Sequence, residues 1–233
     1  MGEIKTLIFD VLGTVVDEAG SIVAETIAAL GGDDRDDRAR QLTQAWNRRL
    51  EASIDDIVAG RSRWRSNDEL RVSALRDAVT AVGVAELSPA AVKELGHVGH
   101  RLRPWPDSAA ALEALGARYA VVASSNADLA QLVGMSAAGG LRWHGVLSGE
   151  MVAALKPDPM VYRLALDGLG LEAADTLMVA AHPRDLRAAA QLGMRTAYVS
   201  RDGEGVPTAQ DRFDIAARDL AELAVRLGAE RPA

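Results

Sequence analysis

The 233-residue sequence has no cysteine, which excludes disulfides, thiolate metal sites and a cysteine nucleophile. Aromatic residues make up only 4% of the chain, so leucine, valine and alanine must fill most of any core. Positive charge is in deficit: 26 Lys and Arg stand against 33 Asp and Glu, a formal net charge of −7. That balance lacks the basic stripe of a nucleic-acid binder and favours plain solubility. No run approaches the roughly 18 apolar residues of a membrane span, and the apolar run after Glu3 and Lys5 is too short for a signal peptide. The chain therefore reads as cytoplasmic, with neither nucleic acid nor membrane as a partner.

What remains is an ordinary globular composition, 48% hydrophobic and 25% charged. The length exceeds one compact domain and falls short of two, which suggests one large domain carrying an insertion. Leu7-Ile8-Phe9 is a short apolar run ending at Asp10 with Gly13 just beyond, the pattern of a buried parallel strand. Tyr119 to Ser124, Thr176 to Ala181 and Thr196 to Ser200 read the same way. Helical patterns such as Ser108–Leu115 and Met160–Gly168 lie between them, which implies βαβ units and a mostly parallel sheet.

The region 18–102 differs. It shows no strand pattern, and Leu42, Trp46 and Leu50 recur at i, i+4 and i+8 on one helix face. The sequence therefore predicts an α/β fold: a Rossmann-like parallel-sheet core, residues 1–17 and 103–233, with an all-helical cap inserted over 18–102. Gly31 to Arg38 reads as a polar turn between cap helices, and Arg103 to Pro106 as the return to the core.

Ligands of open α/β sheets bind at the carboxyl ends of the strands. The polar residues placed there are Asp10 and Thr14, then Ser124-Ser125-Asn126, then His182 and Asp185, with Lys156 in a loop leading into a helix. Taken alone, a strand-end aspartate is as easily a turn cap. Convergence of an acid, hydroxyls, an amide and an amine on one edge is the stronger signal.

In order, the segments FDVLGT, SSN, KPDP and MVAAHPRD resemble the four motifs of the haloacid dehalogenase superfamily. PWPDS and KPDP followed by a tyrosine are similar to its 2-haloacid dehalogenase branch. The resemblance implies that Asp10 is a nucleophile, since a free carboxylate is ionised at neutral pH without help. It would form an ester that water then cleaves. Thr14 would orient the nucleophile, Lys156 would hold positive charge against Asp10, and Asp185 would serve as a base or orienting group. Ser125 would bind a substrate carboxylate and Asn126 a departing halide. Tyr162, six residues after Lys156, is either packing or part of the site. His182 reads as orienting rather than catalytic.

Departures from the branch matter equally. Leu12 replaces the acid that phosphatases of the superfamily carry two residues after the nucleophile, and a leucine moves no proton. Asn47 follows Trp46 where dehalogenases carry a halide-gripping arginine. Arg48 and Arg49 lie about 100° and 200° further round the helix, and Arg61, Arg63 and Arg65 read as a solvated face. Leu12 and Asn47 thus become candidate substrate contacts. The leading expectation is a metal- and cofactor-free hydrolase of a small 2-substituted carboxylic acid, most simply an (S)-2-haloacid. Hydrolysis of a strained amino acid such as azetidine-2-carboxylate is one alternative. A Mg²⁺-dependent phosphatase is another, and only that reading requires a metal. The branch often forms dimers, which leaves a homodimer open.

Overall fold

The computed structural model describes residues 3–84 and 87–229. The apolar run after Lys5 forms β1, Thr6–Phe9, with all four residues buried. Its neighbours are β4, Ala120–Ser125, and β6, Thr176–Ala180, both parallel to it. Beyond them lie β5, Gly145–Ser148, β7, Arg195–Val199, and β8, Ile215–Ala217. The sheet runs β5-β4-β1-β6-β7-β8 and is parallel throughout. Chain order reverses at β1, so the crevice for a ligand opens beyond the end of that strand.

Side-chain alternation splits the core into two layers, as strand pleating requires. Leu7, Phe9, Val121, Ala123, Leu177 and Val179 face one side, which continues through Leu112 and Leu220 into the helical region. Ile8, Val122, Met178 and Ala180 face the other, where Tyr162 and Leu186 pack on them from α7, Pro159–Gly168, and α8, Pro183–Gln191. Burial on both faces explains why these strands read as unbroken apolar runs.

Four helices follow β1 before the chain returns to the sheet: α1, Glu18–Ala29, α2, Arg35–Val58, α3, Asn67–Val82, and α4, Pro89–Gly96. Leu42, Trp46 and Leu50 are buried on one face of α2, as their spacing predicts. The Trp46 indole N–H donates to the Arg71 carbonyl at 2.9 Å and ties α2 to α3. Ser66 caps α3 by accepting from the Glu69 N–H, and Gly83 ends it in the left-handed conformation. A two-residue antiparallel pair, Val16–Asp17 (β2) with Arg103–Pro104 (β3), closes the entry and exit of this excursion.

Three details differ from the sequence reading. Only 31–34 turns; Arg35 to Arg38 begin α2, where Asp36 and Asp37 suit the positive helix end. The half-buried edge strand β5 and the three-residue β8 were not anticipated, because neither carries a long apolar run. The division into 1–17 with 103–233 and 18–102 stands as a proposal. It also runs over 1–2, 85–86 and 230–233, which lie outside the described residues.

Candidate active site

Asp10 follows the last residue of β1, and its N–H still donates to the Val179 carbonyl of β6 at 2.9 Å. Its side chain emerges at the point where strand order reverses, and the residue is only 5% exposed. Oδ1 accepts from Lys156 Nζ at 3.0 Å. Oδ2 accepts from Thr14 Oγ1 at 2.7 Å and faces His182 Nδ1 at 2.9 Å. Burial pushes this carboxyl up, but Lys156 and His182 outweigh it and hold the group well below the usual carboxylate range. Asp10 is therefore a buried carboxylate kept ionised.

Lys156 Nζ also donates to Asp185 Oδ2 at 2.9 Å, so one ammonium bridges two acids. Burial lowers the lysine, yet the charges of Asp10 and Asp185 raise it overall, and it stays cationic. The other Asp185 oxygen accepts from the Tyr162 hydroxyl at 3.2 Å. Burial and the Asp185 charge drive that phenol far above its ordinary value, so it acts only as a donor. Asn126 Oδ1 accepts from the Lys156 backbone N–H at 2.7 Å and fixes the loop that carries the lysine.

The loop after β1 is clamped from outside. Trp105 Nε1 donates to the Gly13 carbonyl at 2.9 Å, Ser108 Oγ to the Val15 carbonyl at 2.6 Å, and Arg201 Nε to the Thr14 carbonyl at 2.9 Å. Gly13 adopts φ +73°, and a Cβ there would stand 2.6 Å from the Glu204 carboxylate. Glycine thus serves the backbone and also makes room for Glu204, which faces His182 Nε2 at 2.9 Å.

A cavity of about 440 Å³ opens above Asp10. Leu12, Asn126, Lys156, His182 and Asp185 line it from the sheet edge, and Asn47 lines it from α2. Ser125, Thr14 and Tyr162 are buried and form no part of its wall; Ser125 Oγ accepts from the Ala127 N–H at 3.1 Å. Arg48, Arg49, Arg61, Arg63 and Arg65 are also absent from the wall. Two arginines do reach it: Arg184 of α8, paired with Asp55 at 3.0 Å, and, from the helical side, Arg71 of α3, 1% exposed, ion-paired with Glu18 and bonded to Asn67 Oδ1 at 2.6 Å. For Arg71 one nitrogen is left over: Nη1 has no hydrogen-bond partner.

A divalent cation needs several oxygen donors about one centre. Here the Lys156 ammonium already bridges the two central carboxylates. Among the described residues no group of three His, Asp or Glu is placed to hold a metal ion. The residues present do not fit Mg²⁺. A buried ionised carboxylate with a cation beside it, facing a small cavity, is suited to nucleophilic attack and to stabilising the anion that develops.

A family profile for haloacid dehalogenase-like hydrolases matches residues 4–193. The chain belongs to that family. It is a hydrolase, and its fold is the family's Rossmann-like fold. It is 28% identical over 228 residues to "(S)-2-haloacid dehalogenase H-109" of Pseudomonas putida, covering 96% of this chain and 97% of the relative. Among solved structures, the L-2-haloacid dehalogenase PA0810 aligns with a TM-score of 0.87 and 32% identity, covering 97% of this chain and all of the other. The defluorinating L-2-haloacid dehalogenase Rha0230 aligns with a TM-score of 0.85 and 29% identity, over 97% of this chain and 95% of that one. No helix among the described residues is long and apolar enough to cross a membrane.

Within this hydrolase fold, the motif residues Asp10, Thr14, Lys156, Asp185 and His182 form one hydrogen-bonded cluster, while Ser125 stands apart from it. Of the wall residues that escaped sequence reasoning, Glu204 and Arg71 bear most on the site's electrostatics. Glu204 was within reach, since it lies in the loop after β7 and the strand-end rule extends to every strand of the sheet. Arg71 carried no such signal, because a lone arginine on an amphipathic helix reads as solvated.

Proposed function

We propose that this hydrolase cleaves a small 2-substituted carboxylic acid through an ester on Asp10, with an (S)-2-haloacid as the simplest substrate. The observation that carries the reading is the carboxylate itself: buried, ionised and aimed into the cavity, with Leu12 at the position where phosphatases of the superfamily carry their general acid. Without that acid, the site suits a leaving group that departs unprotonated, as halide does. Asp10 attacks the α-carbon, the carbon–halogen bond breaks, and water then cleaves the ester to the hydroxy acid. Lys156 stabilises the charge on the Asp10 carboxyl when the ester is cleaved. The names of the relatives support the same substrate class. On this reading no metal or cofactor takes part, and neither nucleic acid nor membrane is a partner. The resemblance also favours a homodimer.

Asn47 provides no charge for the halide, and Arg71 is the cation that lines the cavity from the helical side. We assign its unpartnered Nη1 to an anionic group of the substrate, either carboxylate or halide.

A second reading has its own support. Glu18, Glu51 and Asp55 line the helical side of the cavity and Glu204 the opposite rim. Glu18, Asp55 and Glu204 pair with Arg71, Arg184 and His182, so it is Glu51 that would meet the ammonium group of a substrate such as azetidine-2-carboxylate, where ring strain assists departure of the amine. Phosphate-ester hydrolysis has less support, given Leu12 and the Lys156 bridge.

The test is product release from L-2-chloropropionate, azetidine-2-carboxylate and a phosphate ester, each with EDTA and with Mg²⁺. Chloride release unaffected by EDTA supports the leading reading, and ring opening alone supports the second. Phosphate release that requires Mg²⁺ overturns both.

A further inference from the structure

Both ring nitrogens of His182 face carboxylates at 2.9 Å, Nδ1 toward Asp10 and Nε2 toward Glu204. An ionised carboxylate only accepts hydrogen bonds. A neutral imidazole donates from one nitrogen, so it satisfies one acid and turns a lone pair to the other. Only the imidazolium donates to both. The charged groups around it are Asp10 beyond β1, Arg184 and Asp185 on α8, Lys156 before α7 and Glu204 in the loop after β7. Burial lowers the ring's pKa, but the hydrogen bonds to Asp10 and Glu204 raise it to about 11.

This arrangement changes when Asp10 becomes an ester, because the negative charge at Nδ1 disappears. Asp185 is poorly placed to act instead, since its oxygens are held by Lys156 at 2.9 Å and Tyr162 at 3.2 Å. We propose that His182 is the general base of ester hydrolysis, released for that role when Asp10 is alkylated and held in register by Glu204. The inference rests on the Asp10-ester reading.

The steps balance. Asp10 displaces halide and forms an oxygen–carbon bond, and the ring, 34% exposed at its side chain, gives its proton to solvent. Neutral His182 then takes a proton from a water that attacks Cγ of Asp10. The ester bond to the substrate carbon's oxygen breaks, and that oxygen leaves with the proton of the new carboxyl group. The alcohol departs, and both the Asp10 carboxylate and the imidazolium return. The sum is one halide, one proton and one hydroxy acid for each substrate and water. Glu204 does not touch the reacting atoms and is a positioning residue.

The experiment follows chloride release and intact protein mass for wild type, His182→Asn and Glu204→Gln with L-2-chloropropionate and EDTA. Wild type should release many equivalents of chloride. His182→Asn should release about one equivalent and accumulate ester, hydrolysing it roughly 100-fold or more slowly. Glu204→Gln removes a carboxylate that favours the imidazolium, so its ester hydrolysis should reach full rate at lower pH than wild type. A purely structural role moves neither the burst nor the pH profile.

Steady turnover by His182→Asn without ester overturns the inference and leaves the Asp10 reading intact. So does a folded His182→Asn that yields neither chloride nor ester. Should that variant fail to fold, an unshifted pH profile in Glu204→Gln has the same force. Wild type without chloride release overturns the Asp10 reading for haloacids, and this inference with it.

Discussion

On the sheet side of the cavity, Asp10, Thr14, Lys156, Asp185 and His182 hold one another through contacts of 2.7–3.0 Å. On the helical side, Asn47 is half-buried, Glu51 and Asp55 are exposed, and Arg71 keeps one nitrogen without a partner. The first side is fixed before substrate arrives and spends no binding energy on reorganisation. The second leaves polar groups for the substrate to satisfy. On the proposed reading, reaction chemistry belongs to the strand edge, and discrimination among substrates belongs to α2 and α3.

The largest effect should come from the strand edge. Asp10→Asn keeps the shape and removes the nucleophile, and turnover should fall on the order of 10⁴-fold or more, read as product release. Retained turnover would show that the strand edge does not supply the nucleophile. Lys156→Met leaves Asp10 and Asp185 buried without their shared cation. Chemical denaturation should show a loss of about 3–5 kcal/mol. Adding Asp185→Asn should restore part of that stability and none of the activity.

Changes on the helical side should spare the chemistry. Arg71→Gln should raise KM for an anionic substrate about 10- to 100-fold, the range of one charge-assisted hydrogen bond, and lower kcat less. An equal fall in kcat and kcat/KM would move Arg71 to the reacting atoms and erase the contrast. Trp46→Phe removes the bond to the Arg71 carbonyl but keeps most of the ring. Its cost should be about 1–2 kcal/mol of stability by denaturant titration, with a small rise in KM.

Acidity separates the groups of the strand edge from one another. His182 titrates near 11 in the folded chain against about 6.5 when unfolded. Its contribution is complete below pH 6.5 and is lost as pH rises toward 11. Asp10 behaves oppositely: its folded value lies below the ordinary one, so its contribution is present above about pH 4 and lost on acidification. Denaturation at pH 6, 8 and 10 should show wild type losing more stability with rising pH than His182→Asn does. Parallel curves would mean that the ring binds its proton no more tightly in the folded chain than in the unfolded one.

The same contrast explains what the sequence made readable. β1, β4 and β6 are buried on both faces, so they read as apolar runs, and their polar ends mark Asp10, Asn126 and His182. Lys156 and Asp185 were visible through motifs local to one loop and one helix start. The helical stripe of α2 was visible through Leu42, Trp46 and Leu50. Arg71 was not, because its burial depends on Glu18, 53 positions away. Glu204 could have been marked by its place in the loop after β7, but its approach to Gly13 and His182 is a long-range contact. β5 and β8 escaped because edge strands need fewer apolar residues. Local pattern thus recovered Asp10 and the groups that hold it, whereas long-range pairing set the cavity wall.

The central claim is that Asp10 forms a covalent bond to the substrate and that water then attacks its carboxyl carbon. Many turnovers of L-2-chloropropionate in H₂¹⁸O, followed by proteolysis and mass spectrometry, test it directly. The account predicts heavy oxygen in the peptide that carries Asp10, because each hydrolysis exchanges a carboxylate oxygen. Product formed with its new oxygen drawn wholly from solvent, and an unlabelled Asp10, would contradict it and assign the attack to water alone.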